Sequence, residues 1–179
     1  GSMAANATSD FNVAIGTNAL GKLTNDGDTS NTAVGYIAGQ SVATGTYNTT
    51  IGAYSFRGAD GSESNNTFVG YYAGADMDDN SSEGNVGIGY SAFRDGSGTS
   101  IGNIAIGKWA LDATGGQATT GQIAIGYNAL TACTSGAGNL AVGYFGLDSL
   151  TTGDFNTAIG YEALMTASGS DQNTAIGYN

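Results

Sequence analysis

The chain has no proline, no histidine, one cysteine and few charged residues, and each shortage narrows what it can be. Histidine is the commonest general base and metal ligand, so its absence argues against catalysis and against a cofactor or metal site. A lone cysteine, Cys133, excludes an intrachain disulfide framework, and we interpret it as a small apolar residue of a loop or core. No apolar run reaches the roughly 20 residues of a membrane helix, so we expect no membrane insertion.

Basic residues are especially scarce. Four Lys and Arg stand against 15 Asp and Glu, which gives a formal net charge of −11. So acidic a surface repels phosphate backbones and anionic lipid, and we expect no nucleic-acid partner. A disordered chain would carry more charge and fewer than the 40% hydrophobic residues found here. The composition therefore favours a folded, non-globular, glycine-rich assembly.

One short motif, Asn-x-Ala-Ile-Gly-Tyr-x-Ala-Leu, recurs ten times, and a polar connector follows each of the first nine copies. Its glycines are 17 to 19 residues apart: Gly16, Gly35, Gly52, Gly70, Gly89, Gly107, Gly126, Gly143, Gly160 and Gly177. Such a period is the sign of a repeat architecture. We divide the chain into residues 1–10, a cloning scar and lead-in, and residues 11–179, a single repeat domain whose last copy is truncated.

The period suits one coil of a β-solenoid with two short strands and two turns. Alternation along a strand places Ile104 and Ile106 on one face, which we expect to be a buried ladder. Asn103, Ala105 and Gly107 share the other face, where we expect close approach of another backbone or subunit. The segment after the glycine is predicted to be a second strand or one helical turn. The fold class is thus all-β, a solenoid or parallel β-roll of about ten coils spanning roughly 50 Å.

An asparagine stands four places before the glycine in nine copies, with Gln122 as the exception. The nine are Asn12, Asn31, Asn48, Asn66, Asn85, Asn103, Asn139, Asn156 and Asn173. Stacked coils would let these amides bond one another as a ladder. Asparagine is also a turn former that tolerates left-handed backbone. The sequence leaves both interpretations open.

Asn103-Ile104-Ala105-Ile106-Gly107 and its nine siblings resemble the head repeats of trimeric autotransporter adhesins. Similar repeats occur in phage tail fibres and chimaeric bacterial surface fibres. The resemblance implies a left-handed parallel β-roll that assembles as a homotrimer outside the cell. The unit here is a few residues longer than the usual adhesin head repeat.

We therefore expect a non-catalytic structural and adhesive segment of a trimeric bacterial surface fibre or virion tail fibre. Its partners would be its own copies, and a cell-surface glycan or outer-membrane receptor. The alternative is a monomeric ice-binding or glycan-binding β-solenoid. Threonines three places before the glycine favour ice binding, but Val, Ile and Leu interrupt them, as expected of an interior face.

Two divergent copies carry the residues that we single out as possible ligand contacts: Tyr54, Phe56, Arg57, Tyr71 and Tyr72. Insertions and divergent copies of repeat proteins often map to the binding face. Tyrosines after the glycine could also form a ladder that contacts sugar rings. We favour the simpler interpretation, in which these rings pack on each other or at a subunit interface.

Glycan hydrolysis uses paired carboxylates, which makes the acidic residues candidates for catalysis. Asp26, Asp60, Asp95 and Asp148 lie in variable connectors and none stands apart, so a tailspike glycosidase is disfavoured. Residues 76–83 are rich in the oxygen ligands that calcium prefers but lack the spacing of a helix-loop-helix calcium loop. We interpret this stretch as a solvated acidic loop.

Overall fold

The computed structural model describes residue 1 and residues 11–25, 27–94, 98–113 and 115–179. Most of the predicted lead-in, together with Asp26 and Asp95, lies outside the described residues. The described part contains no helix. Its strands are β1 (Val13–Ile15), β2 (Thr32–Val34), β3 (Thr49–Ile51), β4 (Thr67–Val69), β5 (Val86–Ile88), β6 (Ser100–Ile101), β7 (Ile104–Ile106), β8 (Thr119–Thr120), β9 (Ile123–Ile125), β10 (Gly136–Ala137), β11 (Leu140–Val142), β12 (Thr157–Ile159) and β13 (Thr174–Ile176).

Ten of these strands, one from each repeat, form a single parallel sheet in the order β1-β2-β3-β4-β5-β7-β9-β11-β12-β13. Each strand pairs in register with its equivalent in the next repeat, so that Ala14 lies opposite Ala33 and Ala141 opposite Ala158. Nine segments join the ten strands, which makes about nine turns of a solenoid. At an inter-strand distance of about 4.8 Å the sheet is roughly 43 Å long. The predicted all-β parallel solenoid is confirmed.

The direction of the side chains is the reverse of the prediction. Ala105 and Ala124, the middle residues of β7 and β9, are fully buried. Ile104 and Ile106 flank Ala105 and point outward, where they are partly exposed. The face that carries the small residues therefore points into the coil. The coil is thin, and buried residues from other parts of it, such as Leu111, already fill its interior. The β-branched residues line the outside.

The segment after each glycine is neither a strand nor a helical turn. In residues 127–130, Asn128 (φ 55°) and Leu130 (φ 52°) adopt left-handed backbone. The backbone still bonds both neighbouring coils: the Asn128 amide donates to the Lys108 carbonyl (3.2 Å), and the Leu130 amide donates to the Gly146 carbonyl (3.0 Å). This corner turns the chain and directs the fully buried Leu130 into the core.

A second strand does exist in the central coils, but it precedes the asparagine. β6, β8 and β10 form a parallel three-stranded sheet in the order β10-β8-β6. Gly102 (φ 65°) and Gly121 (φ 63°) then turn the chain into the main sheet. Each central coil is thus built of two short strands and an irregular corner.

Phe68 shows how the core absorbs a departure from the repeat. It takes the inward position of β4, where most copies have Ala, and it is fully buried. A Cβ built on Gly74 or on Gly87 would lie 2.6 Å from the Phe68 ring. The neighbouring positions are glycine because the ring occupies their side-chain space. This divergent copy is explained by core packing.

Candidate functional surfaces

The asparagine column forms a continuous hydrogen-bonded ladder inside the solenoid. The Oδ1 atom of Asn85 accepts from the backbone amide of Asn103 (3.0 Å), and Asn103 Oδ1 accepts from the amide of Gln122 (2.9 Å). The same link joins every adjacent pair of this column: Asn12–Asn31, Asn31–Asn48, Asn48–Asn66, Asn66–Asn85, Asn85–Asn103, Asn103–Gln122, Gln122–Asn139, Asn139–Asn156 and Asn156–Asn173.

In seven of these residues the side-chain nitrogen also donates to a backbone carbonyl of the next coil. Asn48 Nδ2 donates to the Glu63 carbonyl (2.8 Å), and Asn103 Nδ2 donates to the Thr119 carbonyl (3.1 Å). These groups are buried, so each bond satisfies a polar atom that water does not reach. The column therefore has a structural role.

Gln122 keeps the ladder intact because Cys133 accommodates its longer side chain. Gln122 Nε2 lies 3.7 Å from Cys133 Sγ, and Cys133 Sγ donates to the Ser135 carbonyl (3.2 Å). Burial raises the pKa of the Cys133 thiol to about 12, with a smaller contribution from Asp154. The side chain is buried, free of any disulfide and protonated at neutral pH.

The outer face, which we define as the first and third residues of the ten main-sheet strands, is uncharged. Five of its twenty residues are Thr and the other fifteen are Val, Ile or Leu. In the middle of the stack Ile51 and Ile88 are 39% and 38% exposed. The pattern of β-branched residues predicts that this face lies inside the coil, and that prediction is wrong. The asparagine column was the available signal, because a buried amide ladder requires the alanines that share its face to be buried as well.

A second surface feature, the aromatic column, consists of one ring from each of nine consecutive coils: Tyr36, Tyr54, Tyr71, Tyr90, Trp109, Tyr127, Tyr144, Tyr161 and Tyr178. Adjacent centroids are 4.9 to 6.1 Å apart. Where the residue after the glycine is Ala53 or Lys108, the next residue supplies the ring, as Tyr54 or Trp109. The rings pack on one another, the arrangement that the sequence analysis favoured.

Four of the five predicted contact residues form one surface cluster. Tyr54 and Tyr72 are stacked at 4.9 Å, and Tyr71 contacts both. The Arg57 guanidinium lies 5.0 Å from the Tyr72 ring centroid and donates to Asp76 (2.7 Å). That hydrogen bond raises the pKa of Arg57.

The fifth predicted contact, Phe56, is not at the surface. It is fully buried and packs against Phe68 with centroids 5.0 Å apart. Phe56 stands at the position where other coils bury a leucine such as Leu111. Its role is therefore in the core.

The charged residues near this cluster alternate in sign along the stack. Arg57 pairs with Asp76, and Arg94 lies between Asp76 (3.9 Å) and Asp112 (3.4 Å). In the acidic stretch 76–83, which the sequence analysis interprets as a solvated loop, Asp79 Oδ1 accepts from the Ser81 amide (2.9 Å). Among the described residues no group of three or more Asp, Glu, Cys or His is placed to hold a metal ion.

Asp60 follows β3 and Asp148 follows β11, which lies five strands further along the sheet, so these two carboxylates do not form a pair. Asp60 is exposed, and Asp148 is partly buried, which raises its pKa.

Within the described ranges no helix is long and apolar enough to cross a membrane. No family model matches the chain, and no curated protein or solved structure matches it closely enough to indicate a relative.

Proposed function

We propose that this chain is a non-catalytic structural and adhesive segment of a homotrimeric extracellular fibre, on a bacterial surface or a virion tail, that supports attachment to a target cell. The observation that carries the proposal is the outer face, a charge-free and largely apolar band that runs along the whole stack. Soluble monomers rarely leave such a long apolar band in water. Packing of equivalent faces around a common axis would cover it.

Rigidity is the second requirement of a fibre segment. The in-register backbone pairing and the buried asparagine ladder connect every coil to the next. Bending the stack would break many of these bonds together. Threefold symmetry would also present any weak contact site three times, which raises avidity without new contacts. The choice of three copies rests on the resemblance of the repeats to adhesin heads.

The first test is the solution mass, measured by light scattering coupled to size exclusion at micromolar concentration. We expect a mass near three times 17.8 kDa. Ile88→Lys would place a charge on the outer face and is expected to yield a folded monomer. Ile101→Lys is the matched control, because Ile101 is 41% exposed against 38% for Ile88 but lies in β6 of the smaller sheet.

A monomeric unmodified chain would contradict the trimeric fibre. So would a trimer that tolerates Ile88→Lys as well as it tolerates Ile101→Lys, because the outer face would then lie away from the interface.

A monomeric ice-binding solenoid is the second candidate, and one observation favours it. The threonine column faces outward, so that Thr32, Thr49 and Thr67 are adjacent along three consecutive strands. Thermal hysteresis measured on a monomeric sample, and lost in Thr49→Lys, would support ice binding. A trimer with no hysteresis would contradict it.

A further inference from the structure

The end of the aromatic column nearest β13 is its most regular part. Tyr127, Tyr144, Tyr161 and Tyr178, which we call the tyrosine stack, are nearly parallel. Their centroids are 5.0, 5.3 and 4.9 Å apart and their planes differ by 10°, 2° and 8°. The ring faces are therefore covered by neighbouring rings. Phe145 packs nearly perpendicular to Tyr127 and Tyr144 (84° and 88°), and the other ring edges and the hydroxyl groups remain for contact with the surroundings.

These rings are surface residues and are not needed to fill the core. Tyr144 and Tyr161 are 43% and 40% exposed. Other coils have Thr17 or Ala53 at the same position, so the fold accepts a small side chain there. The coil of Thr17 has no ring at this corner. The stack is thus a feature added to the outside of a solenoid that forms without it.

The exposed hydroxyl groups and ring edges of the tyrosine stack recur once per coil along the solenoid. A phenol hydroxyl both donates and accepts hydrogen bonds, and an aromatic edge is apolar with a weak positive potential. Such a row matches a polymer that presents hydroxyl groups and C–H groups at regular intervals. Glu162 hydrogen-bonds Tyr161, and the chain carries a net charge of −11, so an anionic polymer would be repelled.

We propose that the tyrosine stack binds an extended, uncharged polysaccharide that lies along the solenoid axis. The inference deepens the proposed adhesive function and rests on it, because it names the class of ligand that the segment would contact. Each coil contributes a weak contact, and the polymer engages several coils together, so that affinity arises from repetition. Sugar rings would meet the tyrosine edges and hydroxyls, since the ring faces are already occupied.

The test is native gel electrophoresis of the 179-residue chain through gels that contain hydroxyethylcellulose, mixed-linkage β-glucan or, as the anionic comparison, alginate. We expect retardation by at least one neutral polymer and none by alginate. Titration followed by tryptophan fluorescence gives an independent readout, because Trp109 is the only tryptophan and lies 5.6 Å from Tyr127.

The decisive variant is Tyr144→Ala combined with Tyr161→Ala, which copies the residue found naturally at Ala53 and should leave the fold intact. We expect it to weaken binding at least about tenfold, as the loss of two of four repeated contacts implies. Tyr47→Ala is the matched control, because Tyr47 is 59% exposed but lies outside the aromatic column. Binding by the control should be unchanged.

Failure of this inference is distinguishable from failure of the fibre proposal when the mass of the same samples is measured. A trimer that no neutral polymer retards, that only alginate retards, or that binds equally well with both alanines overturns the polysaccharide site alone. A monomer that binds neutral polymer through the tyrosine stack supports the site and overturns the trimeric fibre.

Discussion

Asn85 and Asn103 are 18 residues apart in the chain, yet two hydrogen bonds to the side-chain oxygen of Asn85 join them. Asn85 Oδ1 accepts from the backbone amide of Asn103 (3.0 Å) and from its side-chain Nδ2 (3.1 Å). Both residues are fully buried. A single side-chain oxygen thus satisfies two donors of the following coil, and those donors have no access to water.

Asn85→Ala should therefore destabilise the solenoid more than an exposed substitution of the same type. It removes the acceptor of two buried donors, and each unsatisfied donor costs about 1–3 kcal/mol. We expect the free energy of unfolding in urea to fall by about that amount or more. Asn25→Ala is the control, because Asn25 Nδ2 donates to the Thr44 carbonyl in an exposed position (3.2 Å). Equal losses for the two variants would contradict a buried ladder.

The glycine that ends each main-sheet strand is required by space as well as by conformation. Gly107 has a φ of 130°, and a Cβ built there would collide with the Gly126 carbonyl. We expect Gly107→Ala to cost more than about 3 kcal/mol, because backbone strain and the collision add. Gly121→Ala isolates the conformational part, since Gly121 has a φ of 63° and no atom within 4 Å of its built Cβ.

Gly121→Ala should cost only about 1 kcal/mol, the usual penalty of left-handed backbone for a residue with a Cβ. Chemical denaturation of the two variants checks the difference. Similar costs would show that the neighbouring coil gives way at Gly107.

Spacing made the repeat, the strand positions and the asparagine column predictable from the sequence. Which face of each strand points into the coil could not be predicted, because period-two alternation separates two faces without showing which one is inside. The usual guide is that the face with the larger residues is buried. It fails here because the interior of the thin coil admits only a small residue such as Ala105, so that Ile106 lies outside. Phe56 was misplaced for a related reason, since its core position belongs to the irregular corner and follows no strand period.

Glu63 predicts a dependence of stability on pH. Its side chain is fully buried, and Oε2 accepts from the Gly61 amide (3.1 Å), while Oε1 has no hydrogen-bond partner within the described structure. Burial raises its pKa above the ordinary value. The contribution of Glu63 to stability is therefore fully present below the unfolded-state pKa of about 4.3 and is lost as pH rises through the higher folded-state pKa.

Glu63→Gln should stabilise the protein at about pH 7, where the native carboxylate is charged and buried, and should be nearly neutral at about pH 4. Urea unfolding at the two pH values measures the difference. Glu83→Gln, at an exposed position, controls for the change in net charge. A Glu63→Gln variant that is less stable at neutral pH would mean that the carboxylate has a stabilising partner.

Cys133 should be chemically silent in the native state. Burial raises the pKa of its thiol to about 12, so almost no thiolate is present near pH 8, and the sulfur is covered. Ellman's reagent should therefore react with one thiol per chain only after denaturation. A native rate close to that of a free thiol would show that the coil around Gln122 opens readily.

Phe68 and Gly87 should be strongly coupled, because the ring of one occupies the side-chain space of the other. Phe68→Ala would leave a cavity and cost about 3–5 kcal/mol. Gly87→Ala would push a Cβ to within 2.6 Å of the same ring and cost about 1–3 kcal/mol by overpacking. In the double variant both copies carry the alanine that other coils have at this position, so the second substitution should be neutral or favourable once the ring is gone. A double-mutant cycle of unfolding free energies measures the coupling, and additive costs would show that the ring can move aside to admit a methyl group at Gly87.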